Sequence, residues 1–491
     1  MHRAALLVGG LTLLGLAALT TALQAQTSDT VPESARLSEA ARWLQGYLRV
    51  DTSNPPGGEH RAAAYLASIL HRAGITTRTY VSPEGRSSLY ARLPATESQG
   101  AGEAGGTRGA LVLLHHMDVV PPGPGWTVEP FAGAVSAGRL WGRGAVDAKS
   151  LGIAQLAAMI ALQRGESRRV RDVVFLAVAD EESGGTQGAG WLLEHHPELF
   201  GDTAAVLNEG GANLVLRGEL QWWGVEVAQK RPLWIEAVAS GREGHGAGVQ
   251  RWNATHHLIR ALDRLLAMEL PWRVTPPVRE YLAALAPLHQ GRMREVFSDP
   301  DAFIRPEGPT VALLPGLELL FLDSVQVTGL EGSHRINVLP AKSRAEVDIR
   351  LLPDTDADAF LARVREALGN RVEVHTLLSA PPSPPSPTTH PVYRLLQELL
   401  GEEGPVVPAF IGGFTDSRFF RQRGIPAYGI APFAAGGEDL SGIHGTDERL
   451  SLAELDRGVE RLRRIVTAWA LGETNGQAQG EAQGEARGDT R

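Results

Sequence analysis

The chain has 491 residues, a formal net charge of −9 and no cysteine. Its length suggests two domains, or three. With 43% hydrophobic and 21% charged residues, the composition is that of a globular protein. No stretch is strongly basic, and because phosphate binding needs clustered Lys and Arg, nucleic acid is not expected as a partner. Without cysteine there is neither a disulfide nor thiol chemistry.

Both ends differ from the rest in composition. Arg3 precedes an apolar stretch from Ala4 to about Leu23, so residues 1–25 are predicted to be a secretory signal peptide. The stretch is also long enough to span a bilayer, which leaves an uncleaved N-terminal anchor as the alternative. In either case we expect an exported protein, periplasmic or secreted. Residues 473–491 contain no large apolar side chain and are predicted to be a disordered tail.

Alternating apolar patterns predict an α/β catalytic domain. In its first part, the helices expected cover residues 38–50, 59–73 and 149–164, and the strands cover 76–81, 88–93, 110–114 and 173–177. Strands that alternate with helices indicate a mostly parallel central sheet with helices on both faces. Ligands of such a sheet lie beyond the carboxyl ends of its strands. The residues that follow 110–114 and 173–177 are therefore candidates for a site.

A second module begins near Arg231, where the pattern changes. Its expected elements are strands over 233–238, 324–328 and 345–351 and a helix over 252–266. This grouping predicts an α+β lid or dimerisation domain over residues 230–380, inserted into the catalytic domain. The catalytic domain would then consist of residues 35–229 and 388–472, with proline-rich residues 380–387 as a semi-rigid return strap.

Acidic residues and histidines cluster at the predicted strand ends. His116 and Asp118 follow the strand over 110–114 and are two residues apart, so their side chains project from the same side. Such a pair suits a metal-binding histidine and the carboxylate that orients it. For an isolated pair, a polar loop with a solvated aspartate is the alternative.

For the acidic residues and the histidine that follow later in the chain, an ordinary structural role and a role in a metal site are likewise both open. Asp147 lies in a glycine-bounded loop before a helix, where it either caps the helix or bridges two cations. The three acids at 180–182 follow a strand and repel one another unless they are solvated or neutralised by cations. In the second case one would bind a metal and its neighbour would transfer protons. Glu209 and His444, each beside glycine, are either surface residues or further ligands.

Together these blocks resemble the co-catalytic zinc exopeptidases and amidohydrolases, the family of aminoacylase, carboxypeptidase S, glutamate carboxypeptidase and succinyl-diaminopimelate desuccinylase. The resemblance covers about residues 38–471 and keeps the motifs in order. They are HxDVVP at 116–121, GRGxxDxK at 142–149, DEExGG at 180–185, a variant of DEGG at 208–211 and IHGxDE at 443–448. One such block would be a coincidence, whereas the ordered set is specific. The long stretch 271–322 resembles the carboxypeptidase S branch more than the minimal members.

The resemblance implies a zinc-exopeptidase type of fold with two Zn²⁺ ions per chain, although Mn²⁺ and Co²⁺ suit the same donors. Asp118 would orient His116, and Glu181 would be the general base and acid. The peptide bond Asp147–Ala148 would be cis, as in other members. The implied metal ligands are His116 and Glu209 on one ion, Glu182 and His444 on the other, and Asp147 bridging the two.

The chain departs from the family at two of these motifs. His115 stands where the family usually has Gly and competes with His116 for the ligand position, although the register of HxDVVP favours His116. Asn208 replaces the frequent Asp before Glu209, which removes one negative charge beside that ligand.

The inserted domain and a late turn add further implied roles. His245 would stabilise the oxyanion, often across a dimer interface, so a homodimer through the inserted domain is possible. Asn337, Arg350 and Arg418 match substrate-contacting positions, and a guanidinium pairs well with a carboxylate.

The implied protein is a metallopeptidase or amidohydrolase that cleaves the amide bond next to a free-carboxylate amino acid. It would act as a carboxypeptidase on small peptides or as an aminoacylase on N-acyl amino acids. One alternative is a non-catalytic metal-containing binding protein of the same fold. Another is a one-metal enzyme that uses only part of the ligand set.

Overall fold

The structure is a computed structural model that describes residues 37–96, 109–165, 167–248, 250–313 and 316–473. The predicted signal peptide and, apart from its first residue, the predicted tail lie outside these ranges. Within them, no helix combines the length and the apolar character that crossing a membrane requires.

The described helices and strands follow in chain order. The helices are Glu39–Leu48 (α1), Glu59–Arg72 (α2), Lys149–Arg164 (α3), Ala189–His195 (α4), Ala254–Leu266 (α5), Pro276–Leu285 (α6), Gly291–Ser298 (α7), Ala357–Leu368 (α8), Pro391–Gly401 (α9), Ser417–Arg421 (α10), Gly437–Leu440 (α11) and Leu452–Leu471 (α12). The strands are Thr77–Val81 (β1), Ser87–Leu93 (β2), Ala110–His116 (β3), Ala134–Ser136 (β4), Arg139–Trp141 (β5), Val173–Val178 (β6), Thr203–Asn208 (β7), Leu214–Leu216 (β8), Glu219–Gln229 (β9), Arg231–Ser240 (β10), Gly244–His245 (β11), Ile304–Arg305 (β12), Gly308–Pro309 (β13), Ser324–Glu331 (β14), Val338–Leu339 (β15), Lys342–Leu351 (β16), Val372–Ser379 (β17), Val406–Ile411 (β18), Ala427–Gly429 (β19) and Arg449–Ser451 (β20).

The large sheet has the strand order β1-β2-β6-β3-β7-β19-β9-β18, with β8 paired to β9. Its centre is parallel, because β6, β3, β7 and β19 run in one direction. The pairs β1–β2, β2–β6, β19–β9 and β8–β9 are antiparallel. The predicted α/β class is confirmed, with a sheet that is mixed outside its parallel centre.

Helices cover both faces of this sheet. In β3, Leu111 and Leu113 join the core beneath α1, α3 and α12, whereas Val112 and Leu114 join the core beneath α4 and α10. Successive strand residues alternate between faces, so an unbroken apolar strand is what a sheet covered on both sides requires. Helix α3 is buried on nearly all sides because it packs against α1, α12 and the sheet.

A second, antiparallel sheet has the order β14-β16-β10-β17. Helices α5 and α8 pack on one of its faces, where Ile235, Ala237 and Val347 are buried. The strand β16 alternates between exposed and less exposed residues along its length, as a strand covered on one side does. This sheet lies inside the range that was predicted as the inserted α+β domain.

The stretch 271–322, whose structural role was left open by the sequence, packs against the large sheet. Val278 and Leu282 of α6 and Phe297 of α7 belong to the core of that sheet, and α6 contacts the outermost strand β18. An edge strand presents unpaired backbone groups and is commonly covered. The stretch therefore belongs physically with the catalytic core, although its place in the sequence is within the predicted lid range.

Candidate metal centre

Strand ends bring three of the predicted metal ligands, and Glu181 with them, to one edge of the large sheet. His116 is the last residue of β3, the acids at 180–182 follow β6 directly, and Glu209 follows β7. Since these three strands are adjacent and parallel, their carboxyl ends meet at the same edge. Asp147 precedes α3, which packs against β3 and β6, and His444 lies in the turn before β20.

The ring nitrogens of two histidines face the two oxygens of Asp147. Nε2 of His116 lies 3.1 Å from Oδ1 of Asp147 and 3.4 Å from Oε2 of Glu209. Nε2 of His444 lies 3.2 Å from Oδ2 of Asp147 and 3.3 Å from Oε2 of Glu182. These five residues are called the cluster below. Asp147 thus presents one oxygen to each half of the cluster, and each half holds one histidine and one glutamate.

The donor set fits divalent cations. Ligand atoms of His116, Asp147 and Glu182 lie within 4.8 Å of one another, and so do those of His116, Glu181 and Glu209. Burial raises the pKa of Glu209 to about 7 and holds the pKa of Glu181 well above its usual range. Buried carboxylates so close together are costly to ionise unless a positive charge compensates them. Imidazole and carboxylate donors suit Zn²⁺, and also Mn²⁺ or Co²⁺.

The orientation of His116 depends on a carbonyl group and not on the predicted carboxylate. Nδ1 of His116 lies 2.8 Å from the carbonyl oxygen of Asp118 but 3.7 Å from its Oδ1. A carbonyl oxygen can only accept, so Nδ1 carries the proton and Nε2 keeps a lone pair directed at the cluster. The role predicted for the Asp118 side chain is thus taken by its backbone.

The carboxylate of Asp118 instead holds the turn that carries the two glutamates. It accepts hydrogen bonds from the backbone N–H groups of Glu181 and Glu182, both at 3.2 Å. The side-chain amide of Asn54 donates a third, at 2.8 Å. Burial raises the pKa of Asp118 to about 6. Asp118 therefore positions Glu181 and Glu182 relative to the end of β3.

The neighbouring histidine, His115, points away from the cluster. It is buried between Tyr47, whose hydroxyl lies 3.4 Å from Nε2, and Gln155, whose Oε1 lies 3.2 Å from Nδ1. A side chain at Gly152 of α3 would place its Cβ 2.3 Å from Nε2 of His115, so this glycine makes room for the ring. Alternation along β3 therefore leaves His116 as the histidine at the cluster.

Sequence reasoning did not give Glu448 and Arg143 a role. The buried carboxylate of Glu448 accepts hydrogen bonds from backbone N–H groups on both sides of Ala145, including that of Asp147 at 3.0 Å. It also accepts one at 2.9 Å from Nη1 of Arg143, and Nη2 of the same guanidinium donates at 2.6 Å to the carbonyl of Gly445. This network joins the loop of Asp147 to the turn of His444. Both residues stand inside recognised motifs, but no local pattern pairs them.

Arg86 is a third residue that sequence reasoning missed, and no motif contains it. Its guanidinium donates to Glu59, donates to Asp180 Oδ1 at 2.8 Å and lies 4.0 Å from Asp118 Oδ2. Its side chain is only 13% exposed. One buried cation is thus shared by three carboxylates immediately behind the turn of Glu181.

The two predicted substrate arginines lie next to one another. Arg418 is buried, donates to the carbonyl oxygen of Gly184 and lies over the rings of Phe414 at 4.9 Å and Phe419 at 4.3 Å. Its Nε and Nη1 have no hydrogen-bond partner among the described residues. Arg350 lies 4.6 Å over Phe414. Both guanidiniums therefore contact the same ring, and Arg418 keeps two donors that no described residue uses.

Arg350 differs from Arg418 in already having an anionic partner. Its Nε and Nη2 donate to the two carboxylate oxygens of Asp348 at 2.7 and 2.8 Å. The indole N–H of Trp234 donates to the same carboxylate at 2.8 Å. A substrate carboxylate would have to share this guanidinium with Asp348.

His245 and Asn337 are not brought to the cluster. They lie close together at the two-stranded ladder β11–β15, in which His245 pairs with Val338. The N–H of Gly246 donates at 2.7 Å to the carbonyl of Asn337, the residue before β15. Both are exposed, and within the described residues neither has a hydrogen bond to a member of the cluster. Next to Asn337, Ile336 is fully exposed.

Comparison with known proteins places this geometry in a family. Residues 112–468 match the model of Peptidase family M20/M25/M40. The chain is 26% identical over 433 residues to aminoacylase-1 of Homo sapiens, covering 86% of this chain and 93% of that protein. It is 28% identical over 443 residues to succinyl-diaminopimelate desuccinylase of Methylorubrum extorquens, covering 87% and 97%.

A solved structure agrees with the fold. The M20 family metallo-carboxypeptidase Sso-CP2 of Sulfolobus solfataricus has a TM-score of 0.68 at 20% identity, covering 89% of this chain and 100% of that one. The family match spans well over half of the sequence, and its members that match here are hydrolases by name. The protein belongs to Peptidase family M20/M25/M40 and is a hydrolytic enzyme.

Proposed function

We propose that the protein is a di-zinc hydrolase that cleaves the amide or peptide bond next to an amino acid with a free carboxylate. The observation that carries this proposal is Asp147, whose two oxygens face His116 and His444 at 3.1 and 3.2 Å. A carboxylate placed between two histidine–glutamate pairs is suited to bridging two cations. His116 and Glu209 would hold one ion, and Glu182 and His444 the other.

Two such ions, when bound, lower the pKa of a water molecule and polarise the carbonyl of the substrate. Side chains of the protein would carry out the proton transfers. Glu181 would accept the proton of the attacking water and return it to the leaving amine. Burial holds the pKa of its carboxyl well above the usual range, which brings it toward the pH at which a general base and acid works best. Asp118 fixes its backbone.

The leaving amino acid would be held by its carboxylate. Arg418 has two buried N–H donors without a partner among the described residues, and Arg350 lies 4.6 Å from the centre of the same Phe414 ring. A guanidinium binds a carboxylate with directed hydrogen bonds. This arrangement supports a substrate with a free α-carboxylate, whether a small peptide or an N-acyl amino acid.

His245 would complete the site from a second copy of the chain. Its exposed position beside Asn337 on the ladder β11–β15 suits contact with another molecule better than contact with the cluster of its own chain. In a homodimer through this region, His245 would donate a hydrogen bond to the oxyanion. The exported location expected from residues 1–25 remains a prediction, which N-terminal sequencing of the mature protein checks.

The test compares wild type with Glu181→Gln. Metal content and hydrolysis are measured for both against N-acyl amino acids and dipeptides, with Glu194→Gln, an exposed glutamate on α4, as the matched control. We expect two metal ions per chain in all three proteins, and a loss of turnover of about 10²–10⁴-fold in Glu181→Gln alone, the range of general acid–base catalysis.

Other outcomes would identify the alternatives. Full turnover in Glu181→Gln contradicts its role as base. A metal-loaded wild type that hydrolyses nothing supports a binding protein, and one ion per chain in an active enzyme supports a one-metal mechanism.

A further inference from the structure

A cavity of about 200 Å³ adjoins the cluster beside Asp147 and Glu209. Its remaining walls are largely apolar and come from the start of α3, the end of β19 and the segment that leads to His444; they include Leu151, Ile430, Phe433, Leu440 and Ile443. Sites for whole drug-sized ligands are larger, about 300–1,000 Å³. We propose that this cavity receives the acyl part of the substrate and that this acyl group is uncharged and apolar. The inference rests on the proposed function.

No cationic side chain is among the described residues that line the cavity, which argues against an anionic acyl group. Of the described residues that line it, only Asp147 and Glu209 carry a charge, and both are proposed ligands. The amide of Asn213 is fully used, since Nδ2 donates to the carbonyls of Ala431 at 2.7 Å and Phe433 at 3.1 Å and Oδ1 accepts from Gly224 at 3.0 Å. A second carboxylate on the acyl group would therefore be buried without a cationic side chain or an unused side-chain donor among the described lining residues, which is unfavourable.

The two faces of the sheet separate the two ends of the substrate. Leu151, Ile430 and Phe433 belong to the core on the α3 face. Arg418 lies on α10, whose Phe420 belongs to the core on the opposite face. The cluster lies at the sheet edge between them. A substrate whose amide is at the cluster and whose free carboxylate is at Arg418 therefore directs its acyl group to the cavity.

The apolar walls of the cavity favour an aliphatic chain over a polar group. The ring of Phe433 is held against α12 because Gly458 has no side chain; a Cβ there would lie 2.3 Å from the ring. At the other end, Leu440 and Ile443 are 39% and 37% exposed and flank the turn of His444. Phe433 thus forms a buried apolar wall, and the mouth is apolar as well, so a chain longer than the cavity would continue across Leu440 and Ile443.

The test uses N-acyl derivatives of one amino acid that the wild-type holoenzyme releases. The acyl groups are acetyl, butyryl, hexanoyl and succinyl, where butyryl and succinyl have the same number of carbons and differ by one carboxylate. We expect kcat/KM to be at least about tenfold higher for the hexanoyl derivative than for the acetyl derivative. We expect the same difference between the butyryl and the succinyl derivative, because an apolar pocket discriminates by added methylene groups and against a charge. Equal or better hydrolysis of succinyl overturns the inference, whereas hydrolysis of no derivative and no dipeptide overturns the proposed function.

Two variants locate the preference in the cavity. Leu440→Arg supplies a cation at its mouth and should lower the butyryl-to-succinyl ratio at least about fivefold, while Leu288→Arg, at an equally exposed leucine (39%) on the α6–α7 segment, should leave it unchanged. Ala435 also lines the cavity, so Ala435→Met narrows it and should lower the hexanoyl-to-acetyl ratio by a similar factor. Thermal unfolding checks that each variant is folded. Wild-type ratios in either folded cavity variant overturn the proposal.

Discussion

The cluster and the ladder β11–β15 differ in how much of their surroundings one chain supplies. Four of the five members of the cluster stand at or after the ends of strands of the large sheet or before α3, and His444 lies in the turn before β20. The carboxylates of Asp118 and Glu448 accept hydrogen bonds from the backbone around Glu182 and Asp147. His245 and Asn337 have only the short ladder and solvent around them. A site built on the large sheet is preorganised, whereas residues on the ladder need a partner or a closure to reach it.

The largest effect is expected at Asp147, where the two halves of the cluster meet. Asp147→Ala should reduce metal affinity by more than about 100-fold, since losing even an indirect partner of a ligand costs 10–100-fold, and should abolish hydrolysis. Metal content after dialysis against a chelator measures this. The control Asp263→Asn, exposed on α5, should keep both metals. Full metal occupancy in Asp147→Ala would refute the bridging role.

A smaller effect is expected at His245, and its test sharpens the comparison with the cluster. His245→Ala should lower turnover by about 10²–10³-fold with metal content unchanged, as the loss of one oxyanion donor does. Mixing it with Glu181→Gln should restore about one quarter of wild-type activity, because half of the dimers are mixed and each has one complete site. Absence of recovery after demonstrated subunit exchange would place His245 in the site of its own chain, or outside catalysis.

Arg86 should have a moderate effect that separates charge from geometry. Arg86→Met leaves the carboxylates of Glu59, Asp118 and Asp180 without their shared cation, and we expect it to lower the free energy of unfolding by about 3 kcal/mol. Arg86→Lys keeps the positive charge but loses the planar guanidinium that can donate to several carboxylates at once. Its free energy of unfolding should therefore lie between those of the wild type and Arg86→Met. Urea unfolding of the metal-free proteins measures both. Arg164→Met, which breaks an exposed pair with Glu39, should cost less than about 1 kcal/mol; an equal loss there would contradict the argument.

These residues also show which parts of the structure a sequence can predict. His116, Asp147 and Glu209 follow from strand ends and ordered motifs, because adjacent parallel strands end at one edge. The α/β class follows from local periodicity in the same way. Arg86 and the pair Arg143–Glu448 do not, since their partners are far away in the chain and no periodic pattern marks them.

Two larger features escaped prediction for a related reason. Residues 271–322 pack on the edge strand β18 because their apolar side chains join the core of the large sheet. Their position in the sequence, within the range of the inserted domain, suggests that they belong to the lid. The antiparallel pairs at both sides of the sheet depend on strand direction, which an apolar run does not encode. The orientation of His116 by the Asp118 carbonyl is likewise a matter of local geometry that residue identity alone does not specify.

The smallest effect is expected at Lys230, between β9 and β10, where the chain passes from the large sheet to the smaller one. Burial lowers the pKa of this lysine from its usual value to about 8. Below pH 8 the folded protein therefore contains a buried, charged ammonium group, which lowers its stability. The unfolded chain keeps the ordinary value of about 10.4, so the wild type should gain stability as pH rises from 8 to 10.4. Lys230→Met should be more stable than wild type at pH 7 by at most about 3 kcal/mol, and this advantage should shrink across that window.

The exposed Lys342→Met provides the control for a general effect of removing one charge. A constant difference between Lys230→Met and wild type from pH 7 to 10.5 would mean that packing, and not the buried charge, accounts for it, and the junction between the sheets would then carry no electrostatic strain.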